Sequence, residues 1–278
     1  MLRNACQLAW LHAFPYSTSM LSGAVARGFT LFLLVGLPLM AARNSRLEEH
    51  VEAIDAARPA LYLSAALTLL LIAGLTAMVA AWQAITPEQL GWTVDQPAVE
   101  LGWGLAAAAA GLGIAWLSGL IGRRAGLEES PLLRLLLPRT STERRAFLVL
   151  AGIGAVCEEY IYRGFALHVL VDWTGQQWGA AALTSISFGL AHGYQRVNGI
   201  LRSAGLGMVL AVPVLWTGSL FPAILAHFWI NAAMSTPASR WLLADVRAAD
   251  VGVSDVGSAG ESADREDDST DSTRGDGT

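Results

Sequence analysis

The chain contains no lysine, so all 18 of its basic residues are arginine. It has two cysteines, Cys6 and Cys157, which excludes a disulfide framework and a cysteine metal cluster. Cys157 falls inside an apolar stretch and reads as a small buried hydrophobe. Charge is scarce overall: 15% of residues are charged against 54% hydrophobic, and mean hydropathy is +0.45. The 278 residues would suit one or two soluble domains by length alone, but this composition excludes that reading. No internal repeat is visible, which counts against the inverted-repeat architecture of a transporter. No nucleic-acid partner is expected.

What the chain has in abundance is apolar blocks. They cover residues 21–42, 60–85, 101–121, 147–171, 179–191, 200–216 and 220–234. A bilayer span needs about 20 mostly apolar residues, so the fold class predicted is all-α, a polytopic membrane bundle of about seven transmembrane helices. The blocks at 179–191 and 220–234 are short for a full span. Arg27 interrupts the first block, which predicts a span beginning after it.

The arginines are distributed unevenly. Arg123, Arg124, Arg134, Arg139, Arg144 and Arg145 fall between the third and fourth spans, and Arg43, Arg46 and Arg58 between the first two. Arg196 and Arg202 flank the link between spans five and six, and Arg240 and Arg247 follow the last. The link between spans two and three has Glu88, Asp95 and Glu100 instead. With seven spans every Arg-rich segment lies on one side, and the positive-inside rule makes that side cytoplasmic. The expected location is the cell membrane, with the C-terminus in the cytoplasm.

Five segments follow. Residues 1–20 have one early charge, Arg3, and a short aromatic stretch unlike a cleaved signal; an interfacial position is expected. Residues 21–122 hold the first three spans, 123–142 an Arg-rich loop, and 143–244 the remaining spans. Residues 245–278 carry ten acidic residues and three Arg, a local charge of −7 against −5 for the whole chain, which leaves the rest at about +2. Lacking large apolar residues, this tail is expected to be disordered.

Thr140 and Glu143 have capping-box spacing after Pro138, so a helix is predicted from about Ser141 to Asp172. Glu158 then lies roughly 25 Å along it, at membrane depth. Ionisable side chains inside spans are costly and mark function. Here they gather in three segments: Glu158 and Glu159 with Arg163; Phe188 with His192; and His227 with Asn231. Glu159 and Arg163, four apart, share a helix face and can pair. Glu158 points about 100° away and is left without a partner on its own helix, free for acid–base chemistry. An interhelical salt-bridge network is the other reading of this segment. His192 could equally be a hydrogen-bonding helix end. His227 and Asn231 share a face and could cross-link helices or donate to an oxyanion. Jointly the three segments supply a base, an acid and an oxyanion site for acyl transfer. Cys157 points away from Glu158, so activated water is the simpler nucleophile. His12, His50 and His168 have no such neighbours and read as structural or exposed.

Glu158-Glu159-x-x-x-Arg163, Phe188-x-x-x-His192 and His227-x-x-x-Asn231 resemble, in order, the three motifs of the CPBP family. This family of CAAX proteases and bacteriocin-processing enzymes, also called Abi, includes the type II CAAX prenyl endopeptidases. Thr217-Gly218-Ser219 and Pro222 also look like the family, and the likeness runs from about Glu143 to Ser235. It implies an intramembrane endopeptidase with a cavity open to the cytoplasm. Glu158 would activate water, His192 assist, His227 and Asn231 stabilise the oxyanion, and Glu159 and Arg163 organise the site. No cofactor is expected on the glutamate mechanism; zinc on Glu158, His192 and His227 is the alternative. The implied partners are membrane lipid and a peptide or protein substrate, prenylated or plain. A non-catalytic scaffold of the same fold and a transporter are the other functional readings.

Overall fold

The structure is a computed structural model, and it describes residues 20–44, 58–127 and 129–236. The N-terminal segment and the acidic tail lie outside these residues, as do Cys6, His12, His50, Arg46, Arg240 and Arg247. Among the described residues there are helices and no strands, the all-α bundle that the apolar blocks predict. Helix α1 comprises Met20–Leu31, a π turn at Phe32–Gly36, and Leu37–Asn44. Helix α2 is Arg58–Trp82, α3 is Pro97–Ala125 and α4 is the short Pro131–Leu136. Helix α5 comprises Ser141–Glu159, a π turn at Tyr160–Ala166, and Leu167–Thr174. Helices α6, α7 and α8 are Gln177–Ala191, Arg196–Thr217 and Phe221–Met234.

Among the described residues four stretches are long and apolar enough to cross a membrane: Gly23–Arg43, Arg58–Trp82, Pro97–Ala125 and Gly193–Thr217. Helix α5 is long enough but carries Glu158, Glu159 and Arg163 mid-length. Helices α6 and α8 have only 15 and 14 residues. Large apolar side chains cover the outside of the bundle. On α2 alone Leu63, Leu67, Leu71, Met78 and Trp82 are more than half exposed. An aqueous solvent would penalise such a surface, and hydrocarbon would not. The chain is an integral membrane protein on this composition and surface.

Cross-links at the two ends of the bundle set the helix directions. At one end Arg58 at the start of α2 pairs with Glu143 at the start of α5 at 3.0 Å. There too, Ser118 near the end of α3 bonds Asn198 at the start of α7 at 2.9 Å. At the other end Ser219, just before α8, bonds the Glu100 carboxylate at the start of α3 at 2.9 Å. Glu100 also accepts the backbone N–H groups of Asp95 and Gln96, so this buried acid locks the 91–96 loop to the α7–α8 turn. Exposed tryptophans Trp82, Trp92, Trp173, Trp178 and Trp216 gather at this second end, as an interfacial aromatic belt does. The described arginines other than Arg27 and Arg163 gather at the first.

Two sequence expectations are corrected here. The first span does not begin after Arg27: α1 includes it, and its guanidinium lies over the Trp173 ring, 5.4 Å from the centroid. The α5 helix is not a plain α-helix to Asp172. It starts with the predicted capping box, both bonds of which form, but passes through a π turn beginning just after Glu159. Gly164 lies within that turn, and a Cβ there would be 3.1 Å from the Leu90 carbonyl oxygen.

Candidate active site

The three polar segments meet. Glu158 and Glu159 come from the last α-helical turn of α5 before the π turn, a helix irregularity that recurs at functional sites. Glu159 is fully buried and its Oε1 accepts from Arg163 Nη1 at 2.9 Å. The other guanidinium nitrogen, Nη2, donates to the Gly207 carbonyl on α7 at 2.9 Å. The same Glu159 oxygen lies 2.7 Å from Nδ1 of His227 on α8. Thus Glu159, paired to Arg163 as its spacing suggests, also reaches across to a second helix.

Glu158 does not stand alone, contrary to the expectation from its own helix. Its Oε2 lies 3.6 Å from Nε2 of His227. The reason is tertiary: α8 packs against α5 and places one imidazole between two adjacent carboxylates. The side chain of Glu158 is 18% exposed and that of Glu159 0%. One therefore faces the cavity and the other is enclosed, although they are neighbours in sequence.

Hydrogen bonding fixes both histidine tautomers. The Glu159 oxygen, ion-paired with Arg163, accepts here, so Nδ1 of His227 carries its proton and Nε2 faces the cavity. His192 caps the end of α6, and its Nδ1 is 2.7 Å from the Phe188 carbonyl oxygen. A carbonyl also only accepts, so His192 too presents Nε2 to the cavity.

The Phe of the second motif has a packing role. The Phe188 ring centroid is 4.6 Å from that of His192 and 5.9 Å from that of His227. The Arg163 guanidinium lies over its face at 4.7 Å, a cation–π contact strengthened by desolvation. One apolar ring therefore sets the spacing between the two imidazoles and covers the buried ion pair.

A cavity of about 260 Å³ is lined by Glu158, His192, His227 and Asn231. Its far wall is apolar and includes Leu61, Leu69, Leu133, Leu136, Phe147 and Leu150. Glu159 and Arg163 lie behind this lining. His168 is buried in α5 and does not line the cavity, and Cys157 is buried likewise. Among the described residues no three His, Cys, Asp or Glu side chains are grouped so as to hold a metal ion.

The sequence reading passed over a second polar cluster. Arg202 on α7 donates to both oxygens of Glu129, at 2.7 and 3.3 Å, and to Oε1 of Gln195 at 3.0 Å. Asn198 donates to Glu129 at 3.0 Å. Gln195 in turn donates from Nε2 to the Tyr194 hydroxyl at 3.0 Å. Tyr194, Gln195 and Arg202 all line the cavity. Arg202 inside an apolar block was the available signal; Glu129 and Tyr194 gave none.

No curated protein matches the chain, and no solved structure does. Residues 141–233, about a third of the chain and the part that carries Glu158, His192, His227 and Asn231, match the family model described as Type II CAAX prenyl endopeptidase Rce1-like.

Proposed function

We propose that the protein is an intramembrane endopeptidase that cleaves a peptide bond in a membrane-associated substrate by glutamate-activated water. The observation that carries this is the convergence of Glu158, His192, His227 and Asn231, from α5, α6 and α8, on one cavity. In this reading Glu158 is the general base and takes a proton from water as the water oxygen attacks the scissile carbonyl. His192 Nε2 holds the same water. The oxyanion forms beside Asn231, whose amide donates to it. His227 donates from Nε2 only when its ring carries a second proton, and the Glu158 oxygen that would supply it lies 3.6 Å from that nitrogen. Transfer across this gap makes His227 a donor as negative charge develops, and afterwards a proton source for the leaving amine. Glu159 and Arg163 orient His227 throughout.

The apolar wall favours a substrate carrying a lipid chain, such as a prenylated C-terminus, over a plain soluble peptide. The Arg-bearing end of the bundle, where α4 borders the cavity, is the cytoplasmic end in this proposal. It also puts the C-terminus in the cytoplasm and the protein in the cell membrane. No metal or other cofactor takes part. The test is cleavage of prenylated and plain peptides by purified protein, with Glu158→Gln as control and a chelator arm. Cleavage by wild type, lost in Glu158→Gln and indifferent to chelator, is expected. Equal cleavage by both proteins, or loss to chelator with restoration by zinc, would overturn the mechanism. No cleavage at all would favour the scaffold reading.

A further inference from the structure

The buried chain from Glu129 to Tyr194 fixes a proton that the proposed chemistry can use. Arginine is a donor only, so the Gln195 atom 3.0 Å from Arg202 Nη2 must be the amide oxygen. That settles the orientation of the amide: Nε2 faces the Tyr194 hydroxyl and donates to it. The hydroxyl is therefore an acceptor on that side, and its own hydrogen is turned away from Gln195. Among the described residues this hydrogen has no protein acceptor, and Tyr194 lines the cavity shared with Glu158 and His192. The Tyr194 and His192 rings lie 6.0 Å apart.

The surroundings hold this arrangement firmly. Gln195 and Arg202 are buried, and Arg202 is anchored by two bonds to Glu129. Gln195 packs so closely over Gly199 that a Cβ there would lie 2.1 Å from the Gln195 Cβ. The next residue, Arg196, has φ +62°, a left-handed conformation that a non-glycine residue keeps only where its surroundings impose it. A buried ion pair, an oriented amide and a strained turn all converge on one phenol at the cavity wall.

We infer that Tyr194 is a further catalytic residue, whose hydroxyl donates a hydrogen bond to the substrate's scissile carbonyl oxygen as it becomes an oxyanion, together with Asn231. This rests on the endopeptidase reading above. Preorganised donors of this kind act mainly on the transition state. The network would then align the donor before substrate arrives, and Arg202 and Glu129 would act as positioning residues through Gln195.

The test is steady-state kinetics of Tyr194→Phe, which keeps the ring and removes the hydroxyl, on a peptide that wild type cleaves. The expected result is a fall in kcat of about tenfold or more with KM nearly unchanged, and a small fall in melting temperature because Gln195 Nε2 loses its acceptor. Gln195→Glu is the second variant. Its carboxylate would accept the Tyr194 hydrogen and turn it from the cavity, so its kcat should fall by a similar factor while Arg202 keeps its partner. A Tyr194→Phe kcat within twofold of wild type overturns the inference and leaves the endopeptidase reading standing, as does a rise in KM alone. Wild-type protein that cleaves no peptide overturns both.

Discussion

His227 offers its two ring nitrogens to two adjacent carboxylates: Nδ1 lies 2.7 Å from Glu159 and Nε2 lies 3.6 Å from Glu158. The two acids are therefore unequal, and their amide variants should differ. Glu159→Gln leaves Arg163 buried without its counter-charge, a change that costs about 3–5 kcal/mol, and loosens His227. It should lower both melting temperature and turnover. Glu158→Gln alters a partly exposed side chain and should abolish turnover while melting close to wild type. Thermal melts of the two purified variants decide it: if Glu158→Gln melts far below wild type and Glu159→Gln does not, the roles are exchanged.

Asn231 lines the cavity one helical turn beyond His227. Removing a single oxyanion donor lowers turnover about 100- to 1000-fold. Asn231→Ala should show a loss of that order in kcat with little change in KM. A rise in KM at constant kcat would instead mark Asn231 as a ground-state contact.

Helices α6 and α7 touch at Gly189, where a Cβ would lie 2.7 Å from the Ile200 carbonyl oxygen and 2.7 Å from the Ala204 Cβ. Small residues at such crossings let membrane helices approach closely. Gly189→Ala forces them apart, an overpacking cost of about 1–3 kcal/mol, and moves His192 three residues on. A lowered melting temperature with reduced turnover is expected. Wild-type values for both would show that the crossing can relax.

Glu143 at the start of α5 is held below the ordinary carboxylate value near 4.5, first by the backbone N–H of Arg139, then by that of Thr140 and by Arg58. A depressed folded-state value means stabilisation that is present above the unfolded value and lost as pH falls through the folded one. Melts taken across roughly pH 5 to pH 3 should therefore show wild type losing more than Glu143→Gln. Parallel losses would mean that the capping box does not contribute.

The parts of the fold legible in the sequence were those written in composition and short-range spacing. Each apolar block foreshadows a helix, though not its length, and Thr140 with Glu143 marks the start of α5 because capping is a four-residue event. The Glu159–Arg163 pair was visible for the same reason. What spacing could not reveal lies between helices. His227 bridging Glu158 and Glu159 depends on how α8 packs against α5, and the Phe188 ring acquires its role only once Arg163 and His227 surround it. The π turn after Glu159 has no local signature, and the Arg27–Trp173 contact joins α1 to the far end of α5. Glu129 and Tyr194 looked like ordinary loop residues, because their significance comes from Arg202, 73 residues beyond the first.

Helices α6 and α8 are 15 and 14 residues long, about 22 and 21 Å at 1.5 Å per residue. A hydrocarbon layer is about 30 Å thick, so neither reaches across it. The surrounding lipid must dimple inwards beside them, or water must fill the shortfall. His192 ends α6, and Asn231 lies in the last turn of α8, so these two groups sit where that dip would be deepest. A hydrolase embedded in oil needs a route for its second reactant. In the proposed endopeptidase, the brevity of two helices would bring the aqueous phase down to the scissile bond, and the bond need not be lifted out of the membrane.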